Sequence, residues 1–209
     1  MIAQQPSNTR ERIVESAARL FHEQGFQGTG ISTILREAGA NPGSLYHFFR
    51  TKDELLLAVL ELYEELLQPV VLGPVEEAES DPIERIFRLL DWYRGGMVET
   101  GCRLGCPLGN LALEVSDTHP EVRPGIEVNL ENWRAGIRRW LDAAGERLPA
   151  DCDREALAYV VLTIMEGGLL QARAASDLAP FDASVRILRD HFNRLQRDAE
   201  ASLTPRNPS

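Results

Sequence analysis

Apolar residues recur three and four positions apart along almost the whole chain, and no stretch alternates residue by residue with hairpin turns. That periodicity predicts an all-α fold, because only a helix brings such positions onto one face. Ile13, Ala17, Leu20 and Phe21 form one stripe of a helix over 9–24, stopped by Gly25. Ile31, Ile34, Leu35 and Ala38 mark a second, shorter helix ending at Gly39, a favourable residue just past a helix end. Asn41-Pro42-Gly43 opens a third at once, with Asn as N-cap and Pro at the first helical position. Its inner face is Leu45, Phe48 and Phe49, and its outer face Gly43, Ser44, Tyr46 and His47. Thr51-Lys-Asp-Glu54 is a capping box for a long helix over 52–68, up to Pro69.

Residues 70–80 read as a linker or a frayed helix end, after which five further helices are expected. They span 81–100, 107–116, 118–144, 153–175 and 182–199, with Pro124 predicting a kink or a later start in the third of these. The tail 204–209 reads as disordered. The expectation is therefore about nine helices in two domains, 1–53 and 54–203.

The net charge is −10, but it is uneven. Residues 1–53 carry six Lys/Arg against five Asp/Glu, and the rest of the chain 16 against 27. Only the first module is thus suited to approach a polyanion. Uninterrupted apolar runs such as Leu55–Leu60 are far shorter than the roughly 20 residues of a membrane helix, so no membrane partner is expected. The first residues lack a basic segment followed by an apolar core, so no secretory signal is expected and the chain reads as cytoplasmic. Three cysteines argue against a disulfide framework.

Enzyme signatures are missing: no phosphate-binding Gly-x-x-x-x-Gly-Lys, no His-Glu-x-x-His and no Gly-x-Ser-x-Gly. Gly25-Phe-Gln-Gly28-Thr-Gly30 has the wrong order for a nucleotide loop and reads as a turn. His22, His47, His119 and His191 lie in separate segments without metal-ligand spacing, so neither metal nor cofactor is expected. The chemistry concentrates in 29–52. Two short helices around Gly39-Ala40-Asn41 have the length and turn of a helix-turn-helix. Small Gly43 and Ser44 admit a DNA backbone, Tyr46 and His47 offer hydrogen-bonding rings, and Arg50 and Lys52 follow where phosphates would lie. The competing reading is a solvated helical hairpin.

The run from Thr29 to Leu55, with Arg12–Phe26 before it, resembles the helix-turn-helix and first helix of the TetR family of bacterial transcriptional regulators (TetR/AcrR type). Gly30 departs from the family's usual Ser or Thr, and Leu35 from its usual Ala. The resemblance implies a three-helix DNA-binding domain followed by a larger helical ligand-binding and dimerisation domain. It implies that Asn41, Gly43, Ser44, Tyr46 and His47 lie in or beside the major groove, and that Thr29, Tyr46 and Lys52 touch phosphates. It also implies a homodimer on near-palindromic double-stranded operator DNA, a repressor's role, and release by a small-molecule effector that shifts the fourth helix.

In the body, Trp92, Tyr93, Met97 and Trp133, with the polar Asn110 and Glu114, read either as ordinary core or as the lining of an effector pocket. Val161, Met165 and Leu169 on one helix and Val185, Leu188 and Phe192 on the next match the stripes with which the family's last two helices dimerise. Cys102 and Cys106 sit in a Gly-flanked turn. If Pro107 starts a helix, Cys106 caps it, where the helix dipole favours a thiolate. Cys106 is then either an inert packed thiol or, as in family members that respond to electrophiles or oxidants, a sensor. A rival for the whole chain is a helical small-molecule carrier or enzyme with a vestigial helix-turn-helix.

Overall fold

The computed structural model describes residues 8–203, and among them the secondary structure is helical, without a strand. The expected tail at 204–209 and the first seven residues lie outside the described residues. The helices are α1 (Thr9–Gln24), α2 (Ile31–Ala38), α3 (Pro42–Phe48), α4 (Lys52–Leu66), α5 (Gly73–Ala78), α6 (Pro82–Glu99), α7 (Pro107–Val115), α8 (Arg123–Ala143), α9 (Arg154–Ala175) and α10 (Ala179–Leu203).

The caps explain most of these boundaries. Asn8 and Glu11 form a capping box on α1, and Asn41, Thr51, Asp81 and Asp153 each accept a backbone N–H in the first turn of their helices. Gly39 ends α2 in the left-handed conformation. Of the two readings of 70–80, the linker is overturned and the helix end stands, wound rather than frayed: Leu67–Leu72 form a π-helical turn that joins α4 to the short α5. Pro69 cannot donate to the α-ladder, and the wider turn absorbs that loss. It also brings the Gln68 carbonyl so near Gly73 that an added Cβ would sit 2.8 Å from it. For the helix expected over 118–144, the later start that Pro124 predicted is the one formed: it begins at Arg123, placing Pro124 in its first turn, where a missing N–H costs nothing.

The chain forms two compact units. The first runs through Leu67 and takes in Pro107–Leu130; the second comprises Gln68–Cys106 and the chain from Glu131 onward. These units differ from the expected cut at residue 53, because α7 and the start of α8 pack with α1 and α4. Ile13, Ala17, Phe21, Ile34, Leu45, Leu55 and Val59 are buried in the first unit's core. There Asn129 Nδ2 donates to the Leu60 carbonyl at 3.1 Å, tying α8 to α4. In the second unit, α9 and α10 form a helical hairpin that buries Leu157, Val161, Met165 and Leu169 together with Phe181, Leu188 and Phe192. Phe87 of α6 meets Phe192 edge to face at 5.5 Å. By length and composition α9 would suffice to cross a membrane, with a mean hydropathy of 1.2 in its most apolar window. Here one of its faces is core.

Candidate nucleic-acid interface and effector body

Helix α3 is held from below by Leu45 and by Phe49 just past its end, both buried, so its other face points away from the core. Gly43, Tyr46 and His47 are exposed, Tyr46 at 61%, and Ser44 is half-buried. Phe48, expected inside, is 39% exposed with the His47 ring edge-on at 5.0 Å. Phe48 is the last helical residue and Phe49 is already extended, so the two neighbouring rings point different ways and only Phe49 reaches the core. Three adjacent rings, Tyr46, His47 and Phe48, thus project from one turn, with the exposed Arg36 and Arg50 on the same unit.

Three residues foreseen as DNA contacts spend their polar atoms within the chain. Asn41 Oδ1 accepts the Ser44 N–H at 2.9 Å and the Ser44 hydroxyl at 3.2 Å, so its oxygen serves the cap. Thr29 is buried, and its hydroxyl lies 2.6 Å from the Gly25 carbonyl and 3.2 Å from that of Leu20. Lys52 Nζ donates to the Phe26 carbonyl and lies 4.2 Å from the Phe26 ring centroid. Burial holds this ammonium below its usual pKa against the nearby charges of Glu114 and Asp53. Thr29 and Lys52 thus brace the α1–α2 loop rather than present a free group for phosphate.

The same loop is gripped from α7. Glu114 accepts the Phe26 N–H at 2.8 Å and the Gln27 N–H at 2.7 Å, one with each oxygen. Gly25 is needed beside it: its φ is +80°, and a Cβ there would meet both Glu114 oxygens at 3.1 Å. Glu114 was expected to line an effector pocket. Its carboxylate is instead consumed by these two charge-assisted bonds. The residues involved are 88 and 87 positions apart, beyond any local sequence signal.

In the second unit, Tyr93 lies beside both Cys106 and Trp133. Tyr93 is buried, its ring 5.5 Å from Trp133, and its hydroxyl is hydrogen-bonded to the buried Cys106. Burial, reinforced by Cys106 and Glu166, pushes the Tyr93 phenol well above its usual pKa. Met97 is buried on the same helix, α6. Trp92, foreseen as a lining residue, is 46% exposed and meets Tyr93 with its ring edge on at 5.0 Å. Asn110 is half-buried on α7, in the first unit.

Glu166 escaped the sequence reading. It lies on α9 among Leu162, Met165 and Leu169, where desolvation raises its carboxyl pKa and a hydrogen bond with Cys106 only partly opposes this. Its Oε1 is buried without a partner. The available signal was an acidic residue one turn beyond Leu162 on an apolar face. Cys102, Cys106 and Cys152 are free thiols.

The foreseen dimer residues also need revision. Val161, Met165, Leu169, Leu188 and Phe192 are buried within their own chain, and Val185 is half-buried. What α9 leaves outside is a different stripe: Ala156, Val160, Thr163, Gly167, Leu170 and Ala174, alternately four and three apart. Ile187 on α10 is exposed at 59%. Among the described residues, one group containing histidine is compact enough to hold a metal ion: Asp53, His119 and Glu121, in the first unit.

Residues 13–59 match the model of bacterial regulatory proteins of the tetR family, and 82–188 that of the tetracyclin repressor-like C-terminal domain. The chain belongs to the TetR family. It is 34% identical over 186 residues to an uncharacterised helix-turn-helix regulator of Mycobacterium tuberculosis, covering 87% of this chain and 92% of the relative. It is 25% identical to the transcriptional repressor NemR of Escherichia coli, covering 88% and 93%. A regulatory protein TetR from Rhodobacter sphaeroides superimposes with a TM-score of 0.79 at 27% identity, covering 88% of this chain and 99% of that one. The protein is accordingly a helix-turn-helix transcriptional regulator of this family, whose members bind operator DNA as dimers and respond to small molecules.

Proposed function

We propose that the protein is a cytoplasmic homodimeric repressor that leaves a near-palindromic operator when an effector reaches its second unit. The observation that carries this reading is the outward face of α3. Gly43, Ser44, Tyr46 and His47 sit over the buried anchors Leu45 and Phe49, so the helix offers its polar side to a major groove while fixed from behind. One such helix makes few base contacts. Two, related by a twofold axis and about 34–36 Å apart, read successive major grooves of one duplex face. The exposed stripe on α9 and Ile187 supply a seam for that axis. The name of the relative NemR supports the sign of regulation.

For the effector we assign the buried group Tyr93–Cys106–Glu166, with Trp133 as apolar wall. A thiol between a phenol and a carboxyl suits covalent capture of an electrophile or oxidation, because the carboxylate accepts the thiol proton as the sulfur attacks. Pro107 follows Cys106 directly and opens α7, the helix that carries Glu114. A change at the thiol therefore acts on the element that grips the α1–α2 loop. The effector must favour the state that releases DNA, or no shift follows.

The test is a gel shift with DNA from upstream of the protein's own gene, with and without an electrophile such as N-ethylmaleimide. Binding that the reagent abolishes in the parent but not in Cys106→Ser supports the reading. Equal loss in both removes Cys106 from it. No binding at low salt removes the repressor itself.

A further inference from the structure

We propose that Asp53, His119 and Glu121 form a binding site for a divalent transition-metal ion. Asp53 lies in the first turn of α4, and His119 and Glu121 in the turn between α7 and α8, all in the first unit. One ligand atom from each lies within 4.8 Å of the others. His119 Nδ1 is 3.1 Å from Asp53 Oδ1 and 3.8 Å from Glu121 Oε1. A single ring nitrogen carries at most one proton and cannot satisfy two carboxylates, whereas a dication in its place bonds to all three groups. Lys52, the residue before Asp53, is turned to the Phe26 carbonyl and ring.

The imidazole is already oriented. The Phe26 ring meets it edge to face at 5.1 Å, and Gln27 Nε2 is 2.9 Å from its Nε2. With a metal on Nδ1, Nε2 carries the hydrogen. A half-turn of the Gln27 amide then presents its oxygen as acceptor, an arrangement that raises the basicity of a ligating histidine. One imidazole and two carboxylates, with water completing the shell, suit Zn²⁺, Co²⁺ or Mn²⁺ better than the all-oxygen preference of Ca²⁺ or Mg²⁺. Such an ion fastens the start of α4, which follows the recognition helix at once, to the turn that leads into α8.

The experiment is a Co²⁺ titration of the untagged full-length protein, followed by optical absorption and calorimetry. The expected result is one ion per chain with ligand-field bands but no thiolate-to-cobalt charge transfer, and at least tenfold weaker binding in His119→Ala. Glu121→Gln, on a half-exposed side chain, leaves the fold intact and is expected to weaken binding by about tenfold. A thiolate charge-transfer band, or parent-like affinity in either variant, overturns the site.

Discussion

The two compact units treat their buried polar groups in opposite ways. In the first, the Phe26 peptide is held at both ends, its N–H by Glu114 and its carbonyl by Lys52, while Thr29 closes onto Gly25 and Leu20. In the second, among the described residues, the buried side-chain atoms without a hydrogen-bond partner are Arg134 Nε and Glu166 Oε1. Arg134 Nε still has the Glu155 carboxylate at 3.4 Å, which leaves Glu166 as the open account. A satisfied network specifies one geometry, as a reading head requires. A buried oxygen left unsatisfied costs about 1–3 kcal/mol, which a ligand offering a donor would recover. The difference fits the proposed function, with one unit as reader and the other as receiver.

Breaking the core of the second unit should have the largest effect. Phe192→Asp places a charge against Phe87 and is expected to cost 4 kcal/mol or more, about what an aromatic truncation plus a buried charge implies, read as loss of cooperative melting. Leu170→Asp combined with Ile187→Asp alters only exposed positions. That pair should yield a helical monomer in sedimentation, and a persistent dimer would place the seam elsewhere.

In the first unit, Glu114→Ala removes both bonds to the α1–α2 loop. Expected is a loss of about 2–4 kcal/mol in denaturant melts together with weakened operator binding. Unchanged DNA affinity would separate the grip from the reading. Tyr46→Ala should leave stability untouched and cost about 1–3 kcal/mol of operator binding in a gel shift, the range for a lost base contact.

Glu166 offers a subtler comparison through pH. Burial raises its carboxyl above the ordinary 4.5, so the folded chain holds that proton more tightly than the unfolded chain does. Its contribution to stability is fullest below about 4.5 and is lost as pH rises through the folded value. Glu166→Gln should flatten that decline, measured as melting temperature against pH from about 4 to 8. A parent-like profile would show that Glu166 is not the titrating group. The smallest effect is expected at Gly30, which caps α2 without a side-chain bond. Gly30→Ser should add a few tenths of a kcal/mol by chemical denaturation.

The amino-acid sequence by itself determined the helices and most of their ends, because capping and i, i+3, i+4 spacing are local and recur within a turn or two. Asn41-Pro42-Gly43 and Thr51-Lys-Asp-Glu54 placed the recognition helix and its successor in this way. Local pattern also exposed Tyr46 and His47 opposite Leu45. It did not decide which of two apolar faces of α9 is core: Val161 and Val160 are adjacent, and only packing against α10 buries the first and leaves the second outside. Nor did it decide what a polar side chain does when its partner is far along the chain. Glu114 meets Phe26, His119 meets Asp53, and Glu166 meets Cys106 only once the helices have packed. Hydrogen bonds and burial are set by distance in space, and helical periodicity carries no record of separations of 60 residues or more.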